Sequence, residues 1–132
     1  MPKEFSFDGD QLDPNQIPRP ATWKIVIAPI KVEDTTDGGI ILTHETQNLQ
    51  ESVRFVGRVL AMGPLCFKQD RFKPHPDAPP IPTCKVGDVI ITGQYSGIKV
   101  PCKIQGQEPF DLRIVNDDEI VGIIEDLSVL NV

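Results

Sequence analysis

A single small all-β domain of barrel or sandwich type is predicted by two observations in this 132-residue sequence. Ile, Val and Leu are gathered in runs of four to eight residues, the length of strands, while aromatic residues make up only 6% of the chain. In the final third these runs alternate with turn-forming stretches at short, regular spacing, as in a barrel or sandwich. A chain of this length can bury a real core, but it buries less of its surface than a larger domain does, so a partner could supply further burial. No internal repeat or second domain is evident.

Taken in order, residues 1–22 carry four prolines, Pro2, Pro14, Pro18 and Pro20. Proline removes backbone donors and breaks helical periodicity, so a loose arm is expected over 1–17, becoming ordered only near Ile17. WKIVIAPIKV, from Trp23, is β-branched and reads as a strand that Pro29 should bend or place at an edge. Residues 34–52 set a short apolar knot among polar and turn-forming residues, a composition that cannot hold itself rigid by burial. Structureless loops of this length are uncommon inside compact domains, and when present they tend to be functional. VRFVGRVLAMG, residues 53–63, resumes strand character, with Gly57 where a backbone passes close or bulges.

Residues 64–84 interrupt the pattern with six prolines, Pro64, Pro74, Pro76, Pro79, Pro80 and Pro82. A stiff, exposed excursion is predicted there, since such a run favours polyproline II and forbids a helix or central strand. VIIT (89–92), IKVPCKI (98–104), FDLRIV (110–115) and IVGIIE (120–125) then read as strands separated by turns, with NDDE (116–119) as a solvated turn.

The formal net charge of −6, with no basic run, argues against a nucleic-acid partner, because that affinity rests on clustered Lys and Arg. No stretch approaches a membrane span and MPKEFSFDGD has no apolar signal core, so a soluble, cytoplasmic protein is expected. Cys66, Cys84 and Cys102 are odd in number and widely spaced, suiting neither a disulfide framework nor a metal knuckle. His44 and His75 have no second ligand at metal-binding spacing. Nucleophile-elbow, phosphate-loop, dinucleotide and zinc-protease motifs are missing, so no cofactor, metal or catalytic residue is assigned and a non-enzymatic role is expected.

The informative feature is the knot. Gly38 and Gly39 permit backbone conformations closed to other residues, and Ile40, Ile41 and Leu42 offer a compact apolar tripeptide that a partner's groove could bury. Each buried side chain contributes on the order of 1.5 to 3 kcal/mol, and much of that offsets the cost of ordering the loop. One loop should therefore bind weakly, whereas several identical loops on a ring would bind together at high effective concentration. The alternative reading makes Asp37-Gly38-Gly39 an ordinary hairpin turn and Ile40 to Leu42 a short core strand.

Arg19-Pro20 followed by KIVI, then DGGIILT, VGRVLAMG, KVGDVII and NDDEIVGIIED occur in the order and roughly the spacing of the GroES-type co-chaperonins, which the chain resembles over residues 18–126 outside the Pro-rich segment. The resemblance implies a small GroES-like β-barrel with an extended mobile loop, 34–52, in a homo-heptameric dome that caps an ATP-driven chaperonin and encloses unfolded substrate proteins. Gly38, Gly39, Ile40, Ile41 and Leu42 would be the chaperonin-binding residues, docking on the apical domains. The family also pairs one subunit's N-terminal strand with the next subunit's C-terminal strand. That implicates Arg19, Pro20, Lys24 and Ile25 with Ile120, Val121, Ile123 and Ile124, on edges that would otherwise be exposed.

The chain departs from the family in residues 1–17, in the tail 127–132 and in a Pro-rich roof segment, 64–84, where the family has a short roof hairpin. Such enlargement resembles bacteriophage-encoded members, which would act in the host cytoplasm. Two competing readings are a viral structural or adaptor β-barrel and a fragment of a GroES-like oxidoreductase. The second would need a dinucleotide domain and metal-ligating Cys and His, which the sequence lacks.

Overall fold

The computed structural model describes residues 6–7, 9, 12–31, 35–36, 39–40, 55–93, 96–106 and 109–129. Its elements are strands and short 3-10 turns, with no α-helix among the described residues. The strands are β1 (Ser6–Phe7), β2 (Lys24–Lys31), β3 (Thr35–Thr36), β4 (Gly39–Ile40), β5 (Val56–Met62), β6 (Val89–Thr92), β7 (Ile98–Cys102), β8 (Phe110–Asn116) and β9 (Ile120–Ile124). The main sheet is antiparallel in the order β7-β8-β2-β5-β6-β9, with β1 added to the end of β2, while β3 and β4 form a separate two-stranded ladder.

β2 lies at the centre because its side chains are apolar on both faces. Ile25 and Ile27 enter one buried cluster with Val59, Ile90 and Val115, and Val26, Ala28 and Ile30 enter another with Val56, Val89 and Leu112. The second cluster also gathers Val100 of β7, Ile114 of β8, Leu60 of β5, Ile91 of β6 and Ile124 of β9. Side chains from all six strands of the path line this one cluster, and the all-β fold agrees with a small barrel in which the sheet wraps its core. Gly57 lets β5 approach β2: a Cβ at this position would lie 2.2 Å from Ile27 Cγ2 and 2.8 Å from the Ala28 carbonyl oxygen.

Pro29 is not on an edge strand. The β8 ladder ends at Ile27↔Arg113 and β1 begins pairing at Ile30, so proline stands in the interval where its missing N–H does least harm, opposite Gly57 of β5.

Two expectations are corrected. The arm over 1–17 is not loose up to Ile17: Phe7 is 2% exposed, β1 pairs with Ile30 and Lys31, and Leu12 and Ile17 pack on the barrel cluster. Phe5 and Phe7 alternate just before Asp8-Gly9, a strand-and-turn signal that the prolines masked. The segment 64–84 is not simply an exposed excursion either. Cys66, Phe67 and Cys84 are buried, and with Phe72 they cover the outer face of the sheet over Ile25, Ile27, Val59, Ile90 and Val115. The proline-dense stretch itself is mostly exposed, including Ile81 at 58%.

Candidate functional site

The apolar knot begins where the main sheet ends. β2 runs out at Lys31, and Thr35 and Thr36 pair with Ile40 and Gly39 in the small ladder. Gly39 is thus in a strand and not in a turn as the alternative reading has it, and this small ladder is separate from the seven-stranded sheet. Asp37, Gly38, Ile41 and Leu42 lie outside the described residues, as does most of 34–52.

The two edges of the main sheet differ. β7 presents exposed Lys99 and Pro101, with Lys103 just beyond, and charge and proline discourage another strand from adding. β9, Ile-Val-Gly-Ile-Ile, has neither. It pairs with β6 and with no other described strand, and its alternation leaves Val121 75% and Ile123 40% exposed while Ile120 and Ile124 are half-buried. An apolar edge without charge or proline is a template for strand addition.

The N-terminal half of the expected interface is less uniform. Arg19 is exposed and Pro20 buried ahead of β2. Lys24 and Ile25 are not at a free edge: Ile25 pairs with Met62 of β5 and Val115 of β8 and is fully buried, and Lys24 pairs with Asn116, its ammonium hydrogen-bonded to the Asn116 side chain. A strand flanked on both sides has no edge to offer, so any backbone available to a neighbour lies before Lys24.

The segment 64–84 is fastened by a group read from the sequence as part of a solvated turn. Asp117 opens the 3-10 turn between β8 and β9 with its side chain fully buried. Its carboxylate accepts a hydrogen bond from the Phe67 N–H at 3.0 Å and from the Arg71 guanidinium at 2.6 Å, and its own N–H donates to the Trp23 carbonyl at 3.1 Å. Phe67 has φ +60°, an αL conformation unusual for a bulky residue. The bond to Asp117 and an edge-to-face contact with Phe72, centroids 5.1 Å apart, hold it there. No local signal reveals this, because Asp117 and Arg71 are 46 residues apart.

Cys66 and Cys84 stand at the two ends of the segment and share the outer cluster. Burial pushes the Cys84 thiol up to about 12, assisted by the carboxylate of Asp88, and burial also raises Cys66. The folded state therefore holds protons that the unfolded chain releases from about pH 8.5 upward. This contribution to stability is intact below that pH and is lost progressively towards pH 12. Denaturant midpoints measured from pH 8 to 11 should fall, and the fall should be smaller in Cys84→Ser than in the wild type.

No group of three or more His, Cys, Asp or Glu converges among the described residues, and no described helix is long and apolar enough to cross a membrane.

Comparison with known proteins adds a second line. The family profile described as the chaperonin 10 kDa subunit matches residues 18–124. Curated relatives include the co-chaperonin GroES of Legionella micdadei, 34% identical over 107 residues that span 81% of this chain and 96% of the relative. The co-chaperonin GroES of Hahella chejuensis is also 34% identical, with the same coverage. Co-chaperonin GroES 5 of Rhizobium meliloti is 32% identical over 108 residues, 81% of this chain and 88% of that protein.

Proposed function

We infer that this chain, which belongs to the chaperonin 10 kDa subunit family, is a GroES-type co-chaperonin that caps a chaperonin as a ring of seven subunits. The observation that carries this reading is the family match over residues 18–124, which takes in both the Gly39-Ile40 hairpin and the unblocked β9 edge. The barrel domain extends over 18–126 and bears the docking loop 34–52 and the roof segment 64–84; the tail is 127–132.

In this reading Gly38 and Gly39 let the loop turn, and Ile40, Ile41 and Leu42 enter a groove on the apical domain of a GroEL-type chaperonin. Each contact is weak, and seven on one ring act at high effective concentration. The protein works without cofactor or catalysis, in the cytoplasm, closing a chamber over substrate proteins that it does not itself grip. Ring formation uses β9: Ile120, Val121, Ile123 and Ile124 receive the segment of a neighbouring copy that includes Arg19 and Pro20. Burying Val121 and Ile123 against that copy would remove the exposed apolar edge.

Light scattering should give a heptamer at micromolar concentration, and the ring should co-elute with a chaperonin in the presence of nucleotide. Val121→Lys combined with Ile123→Lys should yield folded monomers, because both side chains already face out and the charges oppose only the intersubunit contact. A wild-type protein that stays monomeric and binds no chaperonin would sink the reading, and a double variant that still forms heptamers would sink the assignment of β9.

A further inference from the structure

The segment before residue 18 lies outside the span shared with the family, yet it is built into the barrel at one particular place. Phe7 of β1 is opposite Ile30, and Ser6 is opposite Lys31, the last residue of β2 before the small hairpin. The β8 ladder has stopped at Ile27 by then. Phe7 is in the same buried cluster as Ile30 and Val56, and the Arg58 guanidinium lies 4.4 Å from the centre of its ring. Ile30 belongs to the strand leading into residues 34–52, and Val56 and Arg58 belong to the strand leading out. One side chain thus bridges both stems.

The turn that follows fixes β1 in place. Gly9 adopts φ +93°, its carbonyl accepts a hydrogen bond from the Leu12 N–H at 3.0 Å, and a Cβ there would lie 2.9 Å from Leu112 Cδ2. A backbone packed this closely on the core cannot shift without disturbing it.

We propose that β1 is a clasp on the root of the docking loop, with Phe7 as the positioning residue that holds both stems and thereby sets how well the loop binds its partner. The proposal rests on the docking reading given above. Its physical basis is preorganisation: stems held together restrict where each apolar tip can go, and a tip confined near its groove loses less freedom on binding. Release of β1 lets Ile30 and Lys31 join the loop. A weakening of only about 1.4-fold per loop, compounded over seven loops, gives about a tenfold weaker cap.

The test uses Phe7→Ala, Phe7→Leu and Arg58→Gln in the full chain, with ring size, amide exchange and half-saturating concentration for capping as readouts. For Phe7→Ala we expect an intact ring and at least tenfold faster exchange over Ile30–Lys31. Protection across β8 should be unchanged, and the half-saturating concentration should rise about tenfold. Phe7→Leu, which keeps most of the apolar volume, should return to within about twofold of wild type. Arg58→Gln removes the stacked cation without opening the core, and should shift capping in the same direction by about threefold; it decides the matter if Phe7→Ala does not fold.

Faster exchange at the root with unchanged capping overturns the clasp, and so does a capping defect that appears only with loss of the ring or of β8 protection. If the wild type caps, Ile41→Asp does not, and both Phe7→Ala and Arg58→Gln cap like wild type, the clasp alone fails. If Ile41→Asp caps like wild type, the docking reading fails and the clasp with it.

Discussion

Asp117→Ala should destabilise the domain by about 3 kcal/mol and free the segment from Pro64 to Cys84 to open without global unfolding. The carboxylate is fully buried, and it satisfies the Phe67 N–H and the Arg71 guanidinium together. Alanine leaves the Phe67 donor unpaired inside the protein, which costs about 1 to 3 kcal/mol, and removes a charge-assisted bond worth a further 1.5 to 3. Part of that second loss is recovered because Arg71 is 42% exposed and returns to water. Phe67 then keeps its unfavourable αL backbone with the Phe72 contact but without the bond to Asp117.

Comparison of variants separates these contributions. Asp117→Asn retains an acceptor for Phe67 and should lose about half as much, whereas Arg71→Ala leaves the buried carboxylate without its charge partner and should cost about as much as Asp117→Ala, about 3 kcal/mol. Urea denaturation reads the totals, and exchange at the Phe67 amide reads the local opening. Equal losses in Asp117→Asn and Asp117→Ala would show that the ion pair, not the bond to Phe67, is what holds the segment.

Ile41→Asp should have the largest functional effect, complete loss of capping at micromolar concentration with the ring still assembled. A single isoleucine contributes on the order of 2 kcal/mol when buried, and an unpaired carboxylate in its place adds a desolvation penalty of several kcal/mol. Seven loops multiply the change, so no rise in concentration within reach compensates. The ring should persist because the small ladder at Thr35–Thr36 and Gly39–Ile40 is separate from the seven-stranded sheet and from β9. Co-elution with a chaperonin and light scattering report the two properties independently. A variant that fails to fold would instead place Ile41 in the core, as the alternative reading had it.

Much of this protein was legible in its residues. The strands after residue 84 were bounded by their turn signals almost to the residue, because alternating apolar runs and Gly or Asp turns are local patterns that set local backbone geometry. The strand from Trp23 was read from its β-branched residues for the same reason. The knot at Gly39 to Leu42 stood out because apolar residues among polar ones are conspicuous in composition alone, whatever conformation they take.

What escaped the sequence involved partners far along the chain. Asp117 and Asp118 look alike as neighbouring acids in a turn, yet one is buried against Phe67 and Arg71 and the other exposed, since only the crossing of residues 64–84 over the sheet distinguishes them. Lys24 and Ile25 look like the first residues of a free strand until β5 and β8 close on both sides. Phe7 looks like part of a proline-broken arm until it is found between Ile30 and Val56.

By itself, then, the sequence determined the all-β class, the positions of most strands, the family and the apolar tripeptide on which capping is proposed to rest. These depend on short-range propensity and on the order of motifs along the chain. The tertiary structure alone decided which edge is left open, which acid is buried and what clasps the root of the loop. The clasp and the buried acid are contacts between residues 23 or more positions apart, and the open edge follows because β9 pairs with β6 alone among the described strands. The burial that gives such contacts their energy exists only once the sheet has formed.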